Sequence, residues 1–184
     1  MARVPYRSAD ELAEEHRDLL ARPINLFRGL ANSPEAFARF HALGEWIRWD
    51  CELDPRLREL VILQVGYLTH SPYEFSHHIE IGRKFGVTDE DIQGLIDLAD
   101  GRQTHFTNEE HDLLEATVRL TEDTTVPADL WDRLATRMSP GRLVDFVVVA
   151  AFYCMVVRVL GTLQIDVEPD YEQYLDQFPL RSPV

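Results

Sequence analysis

Three polar residues on two neighbouring predicted helices could carry proton-transfer chemistry. Glu59 lies between the apolar residues Leu57 and Leu60, and Glu74 and His78 follow four residues apart on the next helix. Side chains at positions i and i+4 share one helix face. Histidine titrates near neutrality, and a carboxylate partner fixes its tautomer. A Glu59–His78–Glu74 cluster with the imidazole in the middle could therefore move protons, and these three are the candidate catalytic residues.

A short helical hairpin must bring the three residues together. Its predicted arms are 55–69 and 72–85, and so short a connection makes them antiparallel neighbours. At a rise of about 1.5 Å per residue, Glu59 lies roughly 13 Å from the hairpin tip, His78 about 9 Å and Glu74 about 3 Å. Along the hairpin axis Glu59 is thus nearer to His78 than to Glu74, so a cluster with His78 between the two glutamates is geometrically reasonable.

The two glutamates also have structural interpretations. Glu74 has the position of the third-residue glutamate of a capping box that begins at Ser71. Glu59 could pair with Arg56 or Arg58, or it could face solvent, because charged residues are rarely buried unless they are paired. The sequence alone leaves these alternatives open.

The two adjacent histidines and one short motif bear on metal binding. His77 and His78 point about 100° apart on a helix, so we expect at most one of them to face the site. Residues 74–77 have the Glu-x-x-His form of di-iron bundles, but the sequence has no second copy. It also has no Gly-rich phosphate loop, no Gly-x-Ser-x-Gly elbow and no Cys-x-x-Cys. We therefore expect neither a metal nor a cofactor.

Candidate substrate-binding residues come from the segment before the hairpin and from its tip. His41 lies on the predicted helix 34–49 and could supply a second polar group, and the aromatic residues could equally be ordinary core. The binding candidates are Phe27, His41, Trp46 and Ser71, with Phe37 as a further aromatic neighbour. An acidic substrate would also need a cation, for which the sequence does not discriminate between Arg48, Arg58 and Arg83.

Helical periodicity covers nearly the whole chain, and strand signals are almost absent. Helix starts are predicted where Ser or Asp precedes Pro, and Gly86, Gly101 and Gly161 predict helix ends. We therefore predict an all-α fold, one domain over residues 1–184 built as a compact bundle of about eight helices. The acidic, aromatic tail after Asp166 could pack on the body or on another subunit. The predicted helices are 8–20, 34–49, 55–69, 72–85, 89–99, 108–121, 127–137 and 140–160.

The composition excludes several classes of partner. The 184 residues include 18 Lys or Arg against 32 Asp or Glu, and a net charge of −14 argues against nucleic acid and anionic membranes. The longest apolar run, 146–157, has 12 residues and is too short to span a bilayer. The N-terminus lacks the apolar stretch of a signal peptide, and two cysteines make no disulfide framework. We expect a soluble cytoplasmic protein that acts on a small molecule.

Three stretches of the chain resemble the carboxymuconolactone decarboxylase and alkylhydroperoxidase D-like family. They are 56–63, 69–78 and 86–92, which hold the glutamate, the hairpin and the histidine at the family's spacing. The similarity is strongest over about 35–100 and continues more loosely to about 165. The resemblance implies an all-helical, alkylhydroperoxidase D-like fold that assembles into homo-oligomers, either trimers or hexamers.

The sequence departs from the thiol-dependent branch of that family. Peroxidase members use a Cys-x-x-Cys pair with a relay glutamate and a histidine. The resemblance places the relay glutamate at Glu59 and the histidine at His78, and it places the two cysteine positions at Ser71 and Glu74. Peroxide reduction needs a thiolate and a resolving thiol. We therefore expect this chain not to be a thiol peroxidase.

The decarboxylase branch needs no thiol and predicts a lyase-like enzyme. It would use Glu/His proton transfer on a small carboxylated lactone or carbonyl compound, with His78 as proton donor, Glu59 orienting it and Glu74 relaying or positioning. The alternative is a non-catalytic oligomeric binding or scaffold protein of the same fold. An enzyme should bury Glu59 and His78 at a pocket and shift the histidine pKa, whereas a scaffold could leave them exposed.

Overall fold

Helices form all of the regular structure in the computed structural model, which describes residues 1–181, and no strand occurs within that range. Two short 3₁₀ segments, Ala9–Glu11 and Glu14–Leu20, precede the α-helices. The all-α prediction is confirmed. The α-helices are α1 Asn25–Leu30, α2 Pro34–Trp49, α3 Pro55–Leu68, α4 Pro72–Lys84, α5 Asp89–Ala99, α6 Asn108–Glu122, α7 Ala128–Ala135, α8 Pro140–Leu163 and α9 Pro169–Gln177.

Side-chain caps start several helices where the sequence predicts them. The Asp54 carboxylate accepts hydrogen bonds from the first backbone N–H groups of α3, and the Ser139 hydroxyl accepts one at the start of α8. Thr88 and Thr107 open α5 and α6 with complete capping boxes. Each cap satisfies N–H groups that have no partner within the helix, which typically contributes about 1 kcal/mol.

Helix α3 is the central element of the bundle. Every residue from Arg58 to Tyr67 is buried, and α3 contacts α4, α5, α6 and α8. Leu60 and Leu63 join one apolar cluster with α5, whereas the next residues along the helix, Val61 and Ile62, join a larger cluster built around α8. Each fully buried leucine contributes roughly 1.5–3 kcal/mol. A polar group between Arg58 and Tyr67 is therefore almost completely shielded from bulk solvent.

A tight connection holds α3 and α4 side by side. Residue His70 has φ 50°, in the left-handed region, and the Ser71 N–H donates to the Gly66 carbonyl at 2.9 Å. A Cβ on Gly66 would lie 3.1 Å from the backbone nitrogen of Phe75. Glycine at position 66 thus permits the close approach of the two arms, which sets the register of their side chains.

Helix α8 is long and apolar enough to cross a membrane, but 61% of its most apolar stretch is buried within the fold. The argument from length was wrong, because the helix extends over 24 residues rather than the 12-residue apolar run. Its buried residues form much of the larger apolar cluster, which is the arrangement of a core helix in a soluble protein. Val144 and Met155 on α8 are exposed, and assembly into trimers or hexamers stays a prediction.

Four parts of the helix prediction differ from the structure. Residues 8–20 form two 3₁₀ segments instead of one helix, because Leu12 and Ala13 have extended ψ angles of 153° and 149°. The short helix α1 was not predicted. Helix α8 continues past Gly161 to Leu163, and the residue that caps it, Gln164, has a left-handed φ of 51°. The C-terminal tail forms α9, which packs on α4 of the same chain.

Candidate active site

His78 on α4 lies between two carboxylates. Its Nδ1 is 2.7 Å from Glu59 Oε2 on α3, and its Nε2 is 3.0 Å from Glu74 Oε1 one turn earlier on α4. All three side chains are buried, with 1%, 3% and 5% of the surface of Glu59, Glu74 and His78 exposed. The predicted cluster therefore forms, with the imidazole in the middle.

Arg58 holds Glu59 from the side opposite His78. Its Nε and Nη2 atoms both donate to Glu59 Oε1 at 3.0 Å, and its Nη1 donates to the backbone carbonyl of Arg48 at 2.8 Å. The guanidinium also lies 4.5 Å from the centre of the Phe85 ring. Burial alone would raise the pKa of Glu59, but the charges of His78 and Arg58 and their hydrogen bonds keep that pKa below its ordinary value. Glu59 is therefore ionised at neutral pH.

The two carboxylates keep His78 protonated. Burial alone would lower the pKa of His78, but the charges of Glu59 and Glu74 and their hydrogen bonds raise it to about 9. Each ring nitrogen faces a carboxylate oxygen, and an ionised carboxylate can only accept a hydrogen bond. Both nitrogens can donate only in the imidazolium form. The site thus stores a proton between two acceptors at neutral pH.

A cavity of about 140 Å³ opens on one end of this relay. Glu74 and His78 line it, whereas Glu59 lies behind them and does not. Glu74 is therefore the carboxylate through which the relay meets the cavity. The wall is mostly apolar, formed by Ile24, Leu26, Phe27, Phe40, Gly44, Ile81, Phe152 and Val156. The remaining polar lining residues are Arg22, His41, Glu45, Arg48, Tyr73, His77 and Tyr153.

The hairpin and its glutamate–histidine pair match a known family. The model of the carboxymuconolactone decarboxylase family matches residues 34–118, which include α3 and α4 in full. Residues 34–118 of this chain are therefore similar to the carboxymuconolactone decarboxylase family. No curated protein matches the sequence significantly.

Solved structures of low sequence identity share the fold. An alkylhydroperoxidase AhpD core protein from Ralstonia eutropha is 16% identical with a TM-score of 0.79, covering 92% of this chain and 94% of that one. A peroxidase-related protein from Silicibacter sp. is 17% identical with a TM-score of 0.75, at coverages of 92% and 93%. A debrominase in complex with 2,3,4-tribromopyrrole is 16% identical with a TM-score of 0.76, at coverages of 96% and 97%. These similarities establish the alkylhydroperoxidase D-like fold of this chain.

The alternative interpretations of the two glutamates are resolved by the geometry. Ser71 makes no side-chain cap hydrogen bond, and Glu74 contacts His78 instead, so the capping-box interpretation of this pair was wrong. Glu59 does pair with Arg58, as one alternative held, and it binds His78 at the same time. In this protein the Arg58–Glu59 pair and the Glu59–His78–Glu74 cluster are thus parts of one buried network.

The expectation that only one histidine faces the site was wrong, because both His77 and His78 line the cavity. The His77 ring is stacked between Tyr73, at 4.0 Å between ring centres, and Tyr171 of α9, at 3.6 Å. Its Nδ1 is 2.8 Å from the Tyr73 carbonyl, and its Nε2 is 3.0 Å from Glu168 Oε2. Sequence spacing could not show this arrangement, because Glu168 and Tyr171 lie about ninety residues further along the chain.

The candidate binding residues divide into two groups. Phe27 and His41 line the cavity, with their ring centres 5.4 Å apart. Trp46 and Ser71 are not among the lining residues: Trp46 packs on the larger apolar cluster, and Ser71 is buried at the start of α4. Phe37 also lies outside the lining and packs its ring against Phe27.

The partners of the three candidate cations show which of them could bind a substrate. Arg58 is bound to Glu59, and Arg83 is bound to Asp89 and Gln177 on the surface. Arg48 alone of the three lines the cavity. Within residues 1–181, no group of three or more His, Cys, Asp or Glu side chains has an arrangement that could hold a metal ion.

Tyr153 is a site residue that sequence reasoning missed. It lies in the apolar run of α8, which predicted only core packing, yet it lines the cavity. Its ring meets the His78 ring edge-on at 5.1 Å between centres. Burial and the nearby Glu74 and Glu59 charges raise the pKa of Tyr153 well above its ordinary value. Its hydroxyl therefore stays protonated and can donate a hydrogen bond into the cavity.

Proposed function

We propose that this protein is an enzyme that transfers a proton to a small carboxylated lactone or carbonyl compound, in the manner of a decarboxylase-like lyase. The observation that carries the proposal is the His78 imidazolium, held between two carboxylates of which one, Glu74, faces a cavity. A scaffold protein has no need for a buried charge relay beside an apolar cavity. The family is named for a decarboxylase, and a debrominase has the same fold, which agrees with an enzymatic role.

The proposed reaction requires a proton at carbon. When the bond between a ring carbon and its carboxylate breaks, carbon dioxide leaves and the electron pair stays behind as an enolate. His78 passes its Nε2 proton across 3.0 Å to the Glu74 carboxylate, and the carboxylic acid so formed delivers that proton to the carbon. The imidazole is then neutral and keeps its Nδ1 proton, which stays hydrogen-bonded to Glu59. It regains the lost proton from water after product release.

Glu59 and Arg58 act as positioning residues in this scheme. The two bonds from Arg58 fix one oxygen of Glu59, so that the other oxygen holds His78 Nδ1–H in place. The carboxylate orients the ring so that its other nitrogen meets Glu74. This arrangement is preorganised, because none of the three side chains needs to move before the proton does.

Thiol chemistry is less well supported. Neither cysteine lines the cavity: Cys51 Sγ donates to the Ile47 carbonyl at 3.0 Å, and Cys154 Sγ is 3.8 Å from the Thr121 hydroxyl. Glu74 occupies one of the positions that the family resemblance assigns to a thiol. A peroxidase activity lost on replacing Cys51 or Cys154 with serine would contradict this part of the proposal.

Substitutions in the relay test the function. Turnover of small carboxylated lactones and keto acids is measured by absorbance for His78→Ala, Glu74→Gln and the control Glu80→Gln. Glu80 lies on the same helix but pairs with Lys84 at the surface. Loss of a general acid typically costs about 10²- to 10⁴-fold in rate. We expect that loss for the first two variants and unchanged turnover for Glu80→Gln, with folding checked by circular dichroism.

A further inference from the structure

Two hydrogen-bond donors of the cavity wall have no acceptor within residues 1–181. Tyr153 is buried, with 7% of its surface exposed, and its hydroxyl makes no hydrogen bond to any of these residues. The guanidinium of Arg48 has no carboxylate within 4.0 Å in the same part of the chain. Donors inside a protein are usually paired with protein, water or ligand. A ligand oxygen that enters the cavity therefore meets donors that these protein residues leave free.

The position of these donors is tied to the relay. The Arg48 carbonyl accepts a hydrogen bond from Arg58, which in turn holds Glu59. The Tyr153 ring contacts the ring of His78. The charge of Arg48 also acts on Tyr153, since it opposes the rise in the pKa of that phenol. Arg48 and Tyr153 therefore line the same cavity as Glu74 and His78, and each contacts the residues that hold or form the proton relay.

The rest of the cavity suits one planar ring. Phe27, Phe40 and Phe152 line it, and the rings of Phe40 and Phe152 pack at 4.9 Å between centres. Its volume of about 140 Å³ is close to that of an engineered cavity of about 150 Å³ that binds benzene. A single ring with a small substituent fills such a space.

We propose that Tyr153 and Arg48 form an oxyanion site, which binds the negatively charged oxygen of a single-ring enolate while Glu74 and His78 supply the proton. This inference rests on the proposed function, because proton delivery to carbon requires an oxyanion on the same ring. Tyr153 donates its O–H to that oxygen, and Arg48 supplies the opposing charge. Donors already aimed at the developing charge stabilise it without reorganisation.

Acidic groups on the cavity wall oppose the binding of an anion unless cations offset them. Glu45 and Glu74 face the same cavity and oppose the entry of an anion, and the chain as a whole has a net charge of −14. Arg48 and the His78 imidazolium offset the two glutamates. The remaining titratable or charged groups that face the cavity are Arg22, His41, Tyr73 and His77.

Binding of 4-nitrophenol tests the site without any turnover. This single-ring phenol ionises near neutrality, and its phenolate, which absorbs visible light, has the shape and charge of a ring enolate. We expect the protein to bind the phenolate in preference to the phenol, so that adding protein at fixed pH increases the phenolate absorbance. Hydrogen bonds that involve a charged group are worth about 1.5–3 kcal/mol. Tyr153→Phe and Arg48→Gln should therefore each weaken phenolate binding by roughly 10- to 100-fold.

Controls separate an oxyanion site from a merely apolar cavity. The neutral analogue 4-nitroanisole should bind Tyr153→Phe, Arg48→Gln and the wild type alike. Arg39→Gln, on the same helix as Arg48 but ion-paired with Glu35 at the surface, should bind phenolate as the wild type does. The inference is overturned if 4-nitrophenol does not bind, if it binds as the neutral phenol, or if the two variants keep wild-type affinity for phenolate.

The outcomes also separate this inference from the proposed function. Selective phenolate binding that depends on Tyr153 and Arg48, in a protein that turns over no lactone or keto acid, supports the oxyanion site and counts against the decarboxylase-like function. Turnover that depends on His78, together with phenolate binding that is insensitive to Tyr153 and Arg48, supports the proton relay and refutes the oxyanion site.

Discussion

Replacing Glu59 with glutamine removes the charge that the relay depends on most. Glu59 is the partner of both Arg58 and His78, and all three side chains are buried. Glutamine keeps the size of the side chain but leaves Arg58 without a charged partner. We therefore expect two effects at once, a fall in the pKa of His78 and a loss of folding stability.

The magnitude follows from the raised pKa of His78. The rise from 6.5 to about 9 corresponds to roughly 3 kcal/mol of preference for the imidazolium in the folded state. The folded protein then binds the proton more tightly than the unfolded chain. This stability is fully present below pH 6.5 and is lost as the pH rises through about 9. Removing one partner of a buried ion pair costs about 3–5 kcal/mol, so Glu59→Gln should lose stability of that order at neutral pH.

Two measurements follow the effects separately. NMR titration of the imidazole resonances gives the pKa of His78, which should fall in the variant from about 9 towards 6.5. Urea unfolding at pH 6.5 and pH 9 gives the pH-dependent part of the stability, which should shrink in the variant. Glu35→Gln is a matched control, because Glu35 pairs with His16 at 3.3 Å but is 72% exposed, and such pairs are worth about 0–1 kcal/mol. A wild-type His78 that titrates at or below 6.5, or one that is unmoved by Glu59→Gln, would refute the reasoning.

Three further predictions test the fold around the site. Phe146→Ala empties a fully buried position of the core and should cost about 3–5 kcal/mol in urea unfolding; a loss below about 1 kcal/mol would contradict the packing. Tyr171→Ala removes the ring stacked on His77, so the amides of α9 should exchange faster with deuterium while those of α6 do not, and equal exchange would argue against the stack. The pKa of Asp91 is about 2 because its bonds to Arg56 and neighbours outweigh its burial. Stability should therefore fall as the pH drops from 3.8 through about 2, and Asp91→Asn should flatten that fall in acid titrations followed by circular dichroism.

Most of the fold was predictable because its signals are local. Ser or Asp before Pro marks helix starts, and the apolar periods of α3 and α5 mark their buried faces. The first twenty residues lack such a signal: Leu12 turns to an extended ψ to bury its side chain, so the chain forms two short turns there. Gly161 did not end α8, because the packing of Leu160 on the core continues the helix past it.

The site was predictable only where its residues share the hairpin. Spacing on α3 and α4 predicted that Glu59, Glu74 and His78 lie together, because the two helices follow each other in the sequence and a short connection joins them. Tyr153 and Glu168 come from segments that are distant in the sequence. Their positions in the sequence could not predict that Tyr153 lines the cavity or that Glu168 contacts His77. The sequence could not distinguish Arg48 from Arg58 and Arg83 as a substrate-binding cation. The structure does so, because Arg58 pairs with Glu59 and Arg83 pairs with Asp89.

The most direct test of the account is turnover of a carboxylated muconolactone, followed by absorbance, with wild-type protein beside folded His78→Ala. The account predicts turnover by the wild type and a loss of about 10²- to 10⁴-fold in the variant, because His78 supplies the proton that Glu74 delivers. Turnover by folded His78→Ala at the wild-type rate would contradict the proposed role of the relay.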